Sequence, residues 1–393
     1  MAYANTKKRK TYAEKKEIVE SAQEKTDAFL KARADSIFSS VVNDEYKDRL
    51  PWNAPVFKTR FMNPSSGTVY NIENSLLLSE LTAEKGYDFP FFLTAAQGYA
   101  AKLSNKGESA DFVVHRFGMS MGNAKTRDES GQVVEILDEN GKPKPVYRRA
   151  CKLTPVFNLQ QFTGELPARF QKLIDAYAKT PTPAEVETVF QSLVDTMPTK
   201  LRRSNNAEGA SNYYSPSLDF VNLAPSPQFK SRLQELSTLA HEVAHSYGHS
   251  SRKNRESLAR YAEDPSFRGY EELVANLAAQ AVMKHFNLRM SDDERSDLDN
   301  AFVANHNTYD VGWAARLSDT PQKIFEAAND ADRAASEMIF KIEQDLTLKL
   351  EANPGLPVPE TFRIGQSVRA ELAAERDAQP EKTNNKKRNE VKI

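Results

Sequence analysis

Cysteine is nearly missing from this sequence. Cys151 stands alone in 393 residues, which excludes an intramolecular disulfide and every cysteine-rich zinc knuckle, so a metal here needs histidine and carboxylate ligands. Long apolar runs are missing too. Nothing approaches the roughly 18 residues of a membrane helix, and MAYANTKKRKTYAEKK has no apolar stretch behind its basic residues. The expectation is a cytoplasmic chain with no membrane partner. An excess of either charge is also lacking: 53 Lys and Arg face 54 Asp and Glu, so the whole chain makes no electrostatic case for a nucleic-acid partner. What remains is an ordinary globular composition, 39% hydrophobic and 27% charged, long enough for two or three cores.

Along the chain, residues 1–50 read as a basic tail followed by an amphipathic helix, with Ile18, Ala22, Phe29, Ile37, Phe38 and Val41 at helical spacing. From 51 to 178 the texture is mixed helix and strand. Extended segments flank a Pro-Ser-Ser-Gly turn, a helix stops at Gly86, and Thr94 with Gln97 forms a capping box. DFVVHRF (111–117) reads as a strand, and a hairpin is expected at Asn140-Gly141. AKTPTPAE (178–185) is the best domain boundary. Residues 186–350 then read as mainly helical, with one helix capped at Thr320-Pro321 and striped by Ile324, Phe325, Ala328, Ala331, Ala335, Met338, Ile339 and Ile342. Residues 351–393 form an extension ending in a basic, disordered tail.

The chemistry concentrates in HEVAHSYGH (241–249), which holds three of six histidines. Leu233, Leu236, Leu239, Val243 and Ala244 are periodic around it, so His241 and His245 sit four apart on one helix face and both imidazoles reach a single ion. Glu242, next to the first ligand, then aims its carboxylate at the attacking water, the arrangement of a hydrolase in which Glu242 is the catalytic base. A catalytic Zn2+ needs a third protein ligand and one open position. His249 is only about 80° further round the helix but two turns along it and beyond Gly248, a helix terminator. Ser251 stands where HExxHxxGxxH requires a third histidine, which excludes that subclass. The remaining candidates are Glu271 and Glu272 in GYEELVANLAAQAV (269–282). Glu272 is preferred as the metal ligand because Asn276, one turn on, is placed to support it, and Glu271 stays open as the alternative. Tyr213, Tyr214 and the strand DFVNLA are candidates for substrate pairing and an electrophilic phenol.

Between 51 and 170, cations and rings interleave. Trp52, Lys58, Arg60, Arg116, Lys144, Arg148, Arg149 and Lys152 are the candidate DNA-binding residues, because a single strand exposes base faces for stacking and keeps its phosphates charged.

Taken together, PW (51–52), NPSSGTVYNIENSLLL (63–78), FFLTAAQ (91–97), KGE (106–108), PVFNLQQFTG (155–164), YYSPSLDFVNLAP (213–225), HEVAHSYGH and YEELVANLAA (270–279) resemble the ArdC-type antirestriction proteins of plasmids and phages. The likeness runs from about residue 50 to about 345. It implies an α+β chain in which a mixed α/β domain that binds single-stranded DNA precedes a mainly helical zincin-like metallopeptidase domain. It also implies a role in protecting incoming DNA from restriction, with a protein or peptide substrate; analogy with DNA-dependent proteases makes a protein sitting on that DNA one candidate. A single-strand-binding module with a merely structural zinc, or a peptidase ejected by a phage, is the alternative. Ser246, Tyr247 and Asn276 depart from the family, which usually has an aromatic, a threonine and an acidic residue there.

Overall fold

The computed structural model describes residues 10–42, 60–128, 130, 132–204, 212–289, 320, 322–377 and 390–391. Trp52, Lys58 and Pro321 lie outside them. The fold is α+β, and among the described residues no helix is long and apolar enough to cross a membrane. Two compact units emerge, and both are discontinuous in sequence: Met1–Ala32, Phe112–Pro155 and Asp377–Ile393 form the first, Arg33–Asp111 and Val156–Arg376 the second.

The first unit contains most of helix α1 (Tyr12–Val42) and of strand β4 (Asp111–Asn123), a small hairpin of β5 (Lys125–Arg127) and β6 (Val133–Glu135), and most of β7 (Pro145–Asn158). β4 lies between β7 and the short β11 (Glu390–Val391). The expected Asn140-Gly141 turn exists, with Gly141 at φ 71° and Leu137 bridged to Pro143. The strand before it, however, pairs with β5, Lys125 opposite Glu135, instead of continuing along β7. Two local causes act. Asp128 accepts from the Ser130 and Gln132 amides and closes the β5–β6 turn, and Pro145 has no N–H with which to extend a ladder from β7.

In the second unit, β1 (Met62–Asn63) and β2 (Thr68–Val69) flank the Pro-Ser-Ser-Gly turn. There Asn63 Oδ1 accepts from the Ser65 and Ser66 amides, and Gly67 takes φ 67°. α2 (Ile72–Lys85) ends on left-handed Gly86, whose N–H reaches Thr82 O. β3 (Phe92–Leu93) pairs with the end of β7, and α3 (Ala95–Ala100) opens with the Thr94–Gln97 capping box. β1, β3, the end of β7 and α4 (Ala168–Ala178), with the segments around α3, share a core of Met62, Phe91, Leu93, Leu103, Phe157, Phe162, Phe170 and Leu173. α5 (Pro183–Thr196) also starts with a capping box, Thr182 with Glu185. A three-stranded sheet follows in the order β8 (Lys200–Arg203), β10 (Phe220–Leu223), β9 (Tyr213–Ser215), with β9 antiparallel at one edge.

Helices α6 (Arg232–Tyr247), α7 (Glu256–Ala259), α8 (Pro265–His285), α9 (Lys323–Ala352) and α10 (Glu360–Asp377) complete the unit. α8 packs on α6 and α9, and all eight apolar positions expected on α9 are buried. Alanines 275, 278, 279, 327, 328, 331, 334 and 335 lie in these helices, and small side chains let axes approach closely. α9 starts after Gln322 with no side-chain cap, so Thr320 does not play the capping part expected of it.

Gly98 is needed for space. A Cβ there would stand 2.0 Å from the Phe162 ring in the core. Gly98→Ala is expected to destabilise this unit by about 1–3 kcal/mol through overpacking. Urea denaturation should show a lower midpoint at an unchanged slope, and an unchanged midpoint would contradict this packing.

Candidate metal centre

Ser231 accepts from the Gln234 amide and starts α6, and Leu236, Leu239, Val243 and Ala244 have no exposed surface. Each large apolar side chain among them contributes about 1.5–3 kcal/mol of burial. That burial fixes the helix's rotation and turns His241, Glu242 and His245 to the opposite side. α8 begins at Asp264 and Pro265 and presents Glu271 and Glu272 to this face.

The His241 and His245 Nε2 atoms are 3.1 Å apart. Glu272 Oε2 is 3.3 Å from His241 Nε2, and its Oε1 is 3.6 Å from His245 Nε2. Three donors held about 2.0–2.1 Å from one tetrahedral ion would stand roughly 3.3 Å apart, so two imidazoles and one carboxylate fit a metal of that size. Among the described residues this trio is the one His/carboxylate cluster tight enough to hold a metal ion.

The surroundings orient each donor. His245 Nδ1 meets Glu271 Oε1 at 3.0 Å, which turns Nε2 toward the cluster. Glu271 is completely buried, and its oxygens are taken by Arg255 Nε at 2.9 Å, Arg255 Nη2 at 2.5 Å and the Ser257 hydroxyl at 2.6 Å. Glu271 therefore braces His245 from behind, and Glu272 faces both imidazoles. The His241 ring hydrogen-bonds the Asn276 side chain. Tyr261 donates to Glu272 Oε1 at 2.5 Å, leaving Oε2 toward His241. Glu242 is buried, and the Tyr214 backbone N–H points at its carboxylate.

Electrostatics follow from this crowding. Burial opposes charge on His241, but Glu272 and Glu242 overcome it and push the imidazole up to about 9. Burial likewise opposes ionisation of Glu272, yet its bond to His241 and the neighbouring imidazoles bring it down to about 2. Glu242 goes the other way: burial raises its carboxyl against the pull of the histidines.

His249 stands apart from the cluster, its Nδ1 2.8 Å from the Ser251 hydroxyl. The Tyr214 phenol is engaged by Asp219 and Arg252, and the Tyr213 ring packs edge-on against Phe220. Arg255, Ser257 and Tyr261 were not anticipated from the sequence, and the one sequence signal near them was Gly248. A Cβ on Gly248 would come within 2.8 Å of the Arg255 guanidinium, so glycine leaves the room through which Arg255 reaches Glu271.

Of the candidate DNA-binding residues, Arg60 is buried, 2.9 Å from Asp332 and bonded to Tyr70 O, so it is spent inside the second unit. Arg116, Lys144, Arg149 and Lys152 are exposed on or beside β4 and β7, and Arg148 pairs loosely with Glu20 at 3.3 Å. Lys152 lies over the Phe117 ring at 5.3 Å, and Tyr147 is exposed nearby in sequence.

Residues 192–330 match the zincin-like metallopeptidase family model. Crystal structures of the antirestriction protein ArdC from plasmid R388 superpose on the chain: the metal-free form at TM-score 0.55 and 24% identity, covering 80% of this chain and 98% of ArdC, and the Mn(II)-bound form at 0.53 and 25%, covering 80% and 97%. The chain has an ArdC-like fold. Two Escherichia coli DNA primases named TraC are 26% and 25% identical over 72% and 69% of this chain, but the chain spans only 24% and 17% of their lengths. An uncharacterised Sinorhizobium fredii protein, y4eC, is 25% identical over 74% of this chain and 84% of its own length. Within the ArdC-like fold, the His241–His245–Glu272 trio lies inside the zincin-like segment.

Burial raises the Glu271 carboxyl, but the bonds and charges of His245 and Arg255 outweigh it and hold the group at about 2, below its ordinary 4.5. A depressed carboxyl stabilises the fold above the unfolded value and loses that contribution as pH falls. In the metal-free protein, about 3 kcal/mol should vanish between pH 4.5 and about 2, and Glu271→Gln should be less stable at neutral pH with a flatter acid limb. Identical acid limbs in chemical denaturation would refute the assignment.

Proposed function

We propose that the chain is an antirestriction protein that binds single-stranded DNA through its first unit and carries a zinc-dependent peptidase in its second. The observation that most supports the peptidase reading is the trio at 3.1–3.6 Å with the Glu242 carboxylate beside it. His241, His245 and Glu272 hold Zn2+; Mn(II) is the ion of the R388 ArdC crystal and is the comparison metal. A bound zinc ion polarises the scissile carbonyl and makes a water acidic. Glu242 accepts that water's proton as the new C–O bond forms, then delivers it to the amine as the C–N bond breaks. Its burial and the Tyr214 N–H pointing at it favour one orientation of the carboxylate for both transfers. β9, at the sheet edge beside α6, offers backbone groups to an extended peptide.

DNA binding is supported by segregated charge. The segment Phe112–Pro155 of the first unit carries 8 Lys and Arg against 5 Asp and Glu, in a chain with 53 against 54. Near neutrality overall thus conceals a basic segment, and its strands β4 and β7 bear Arg116, Phe117, Tyr147, Arg149 and Lys152. Cations for phosphates beside rings for bases suit a single strand. The peptidase's substrate is then a protein carried on the same DNA, and protection of incoming DNA follows from coating, cleavage or both.

Purified protein should contain about one zinc per chain, and His241→Ala should lower zinc affinity at least about a hundredfold. Because zinc displaces the His241 proton, affinity should weaken by about tenfold per pH unit below about 9, with proton release seen by calorimetry in buffers of different ionisation heat. Glu242→Gln should keep its metal and lose peptidase activity. If it also protects transferred DNA as well as wild type, coating alone is the mechanism. Replacing Arg148, Arg149 and Lys152 together by alanine should weaken single-strand binding and reduce the logarithmic salt slope by about 2. An unchanged slope places the DNA elsewhere.

A further inference from the structure

A second polar network joins the β9–β10 turn to the loop after α6. Arg252 straddles Asp219, Nη2 to Oδ1 at 2.5 Å and Nη1 to Oδ2 at 3.0 Å. The Tyr214 hydroxyl donates to Asp219 Oδ1 at 2.8 Å and receives Arg252 Nη2 at 3.1 Å. Arg252 Nε meanwhile donates to Ser246 O at 2.6 Å, in the last turn of α6. Asp219 adopts φ 48°, a left-handed conformation that a non-glycine residue keeps only when its surroundings enforce it. Its own carbonyl accepts the Thr199 hydroxyl. One guanidinium thus bonds the turn, the phenol and the helix end.

Tyr214 connects this network to the chemistry. On β9 it stands opposite Val221 of β10, and its backbone N–H points at the Glu242 carboxylate and favours its ionised form. The height of β9 along α6 therefore decides whether that N–H meets Glu242. β9 has three residues and one strand neighbour, too little ladder to hold its own register stiffly.

We propose that Arg252, Asp219 and the Tyr214 phenol are positioning residues that lock β9 to the end of α6 at the height where the Tyr214 N–H braces Glu242. The proposal rests on the reading of Glu242 as general base. None of the three touches the trio that binds metal, so their loss leaves metal affinity intact while the base loses its fixed orientation. Lysine cannot replace Arg252, because one ammonium cannot straddle a carboxylate and also reach Ser246 O.

The test compares wild type with Arg252→Met, Arg252→Lys, Asp219→Asn and the nearly isosteric Tyr214→Phe. In the metal-free chain, hydrogen exchange at the Tyr214 amide should quicken about tenfold in each, as expected for one weakened bond, with α6 amides and zinc affinity unchanged. With zinc bound, kcat on casein should fall about tenfold at unchanged KM, and Arg252→Lys should not rescue it. Unchanged exchange in both Tyr214→Phe and Arg252→Met would overturn the proposal, as would faster exchange with undiminished kcat. If exchange quickens but wild type itself cleaves nothing, the lock stands and the general-base reading of Glu242 is what fails.

Discussion

A carboxylate removed completely from water costs several kcal/mol unless each oxygen finds a partner, and Glu271 is such a carboxylate. Arg255 supplies two of its bonds, Ser257 a third and the His245 ring a fourth. These bonds tie α8 to α6 through His245 and to the 248–257 loop through Arg255 and Ser257. They are interdependent. Gly248 must lack a Cβ for Arg255 to pass, and Arg255 must bond Glu271 for the carboxylate to stay ionised against burial. The orientation of the His245 ring is a consequence of this arrangement.

The centre is thus divided between a dry side and a wet side. Glu271 has no exposed side-chain surface, and His241 and Glu272 retain about a fifth of theirs. Neighbouring carboxylates on one helix consequently have different tasks. Tyr261 and Asn276 supplement the wet side by engaging Glu272 and His241. Asparagine at 276 engages the His241 imidazole without adding negative charge around the trio.

Charge segregation has a different physical basis. A net charge near zero argues against nucleic-acid affinity only if the charge is mixed in space. Here one stretch, Phe112–Pro155, carries 8 Lys and Arg against 5 Asp and Glu and lies within one unit. Arg60 shows the converse: beside aromatic residues in sequence it looks like a phosphate ligand, yet it is buried against Asp332, 272 positions away.

Legibility in the sequence followed the range of the interaction. The helix ends at Thr94 and Gly86, the buried stripe of α9, and the placing of His241, Glu242 and His245 on one helix face all depend on spacing within a few residues, which the helical period sets directly. Two things could not be read that way. Glu271 and Glu272 differ by about 100° around α8, and only the packing of α8 on α6 and α9 selects which one faces the imidazoles. Arg252, Arg255, Tyr261 and Tyr214 come from loops and an edge strand whose approach to the site is decided by where distant segments pack. Local spacing named His241, His245 and Asn276, and tertiary contact named Arg255, Tyr261 and Tyr214 around them, because a period constrains neighbours on one helix and says nothing about what is folded against it.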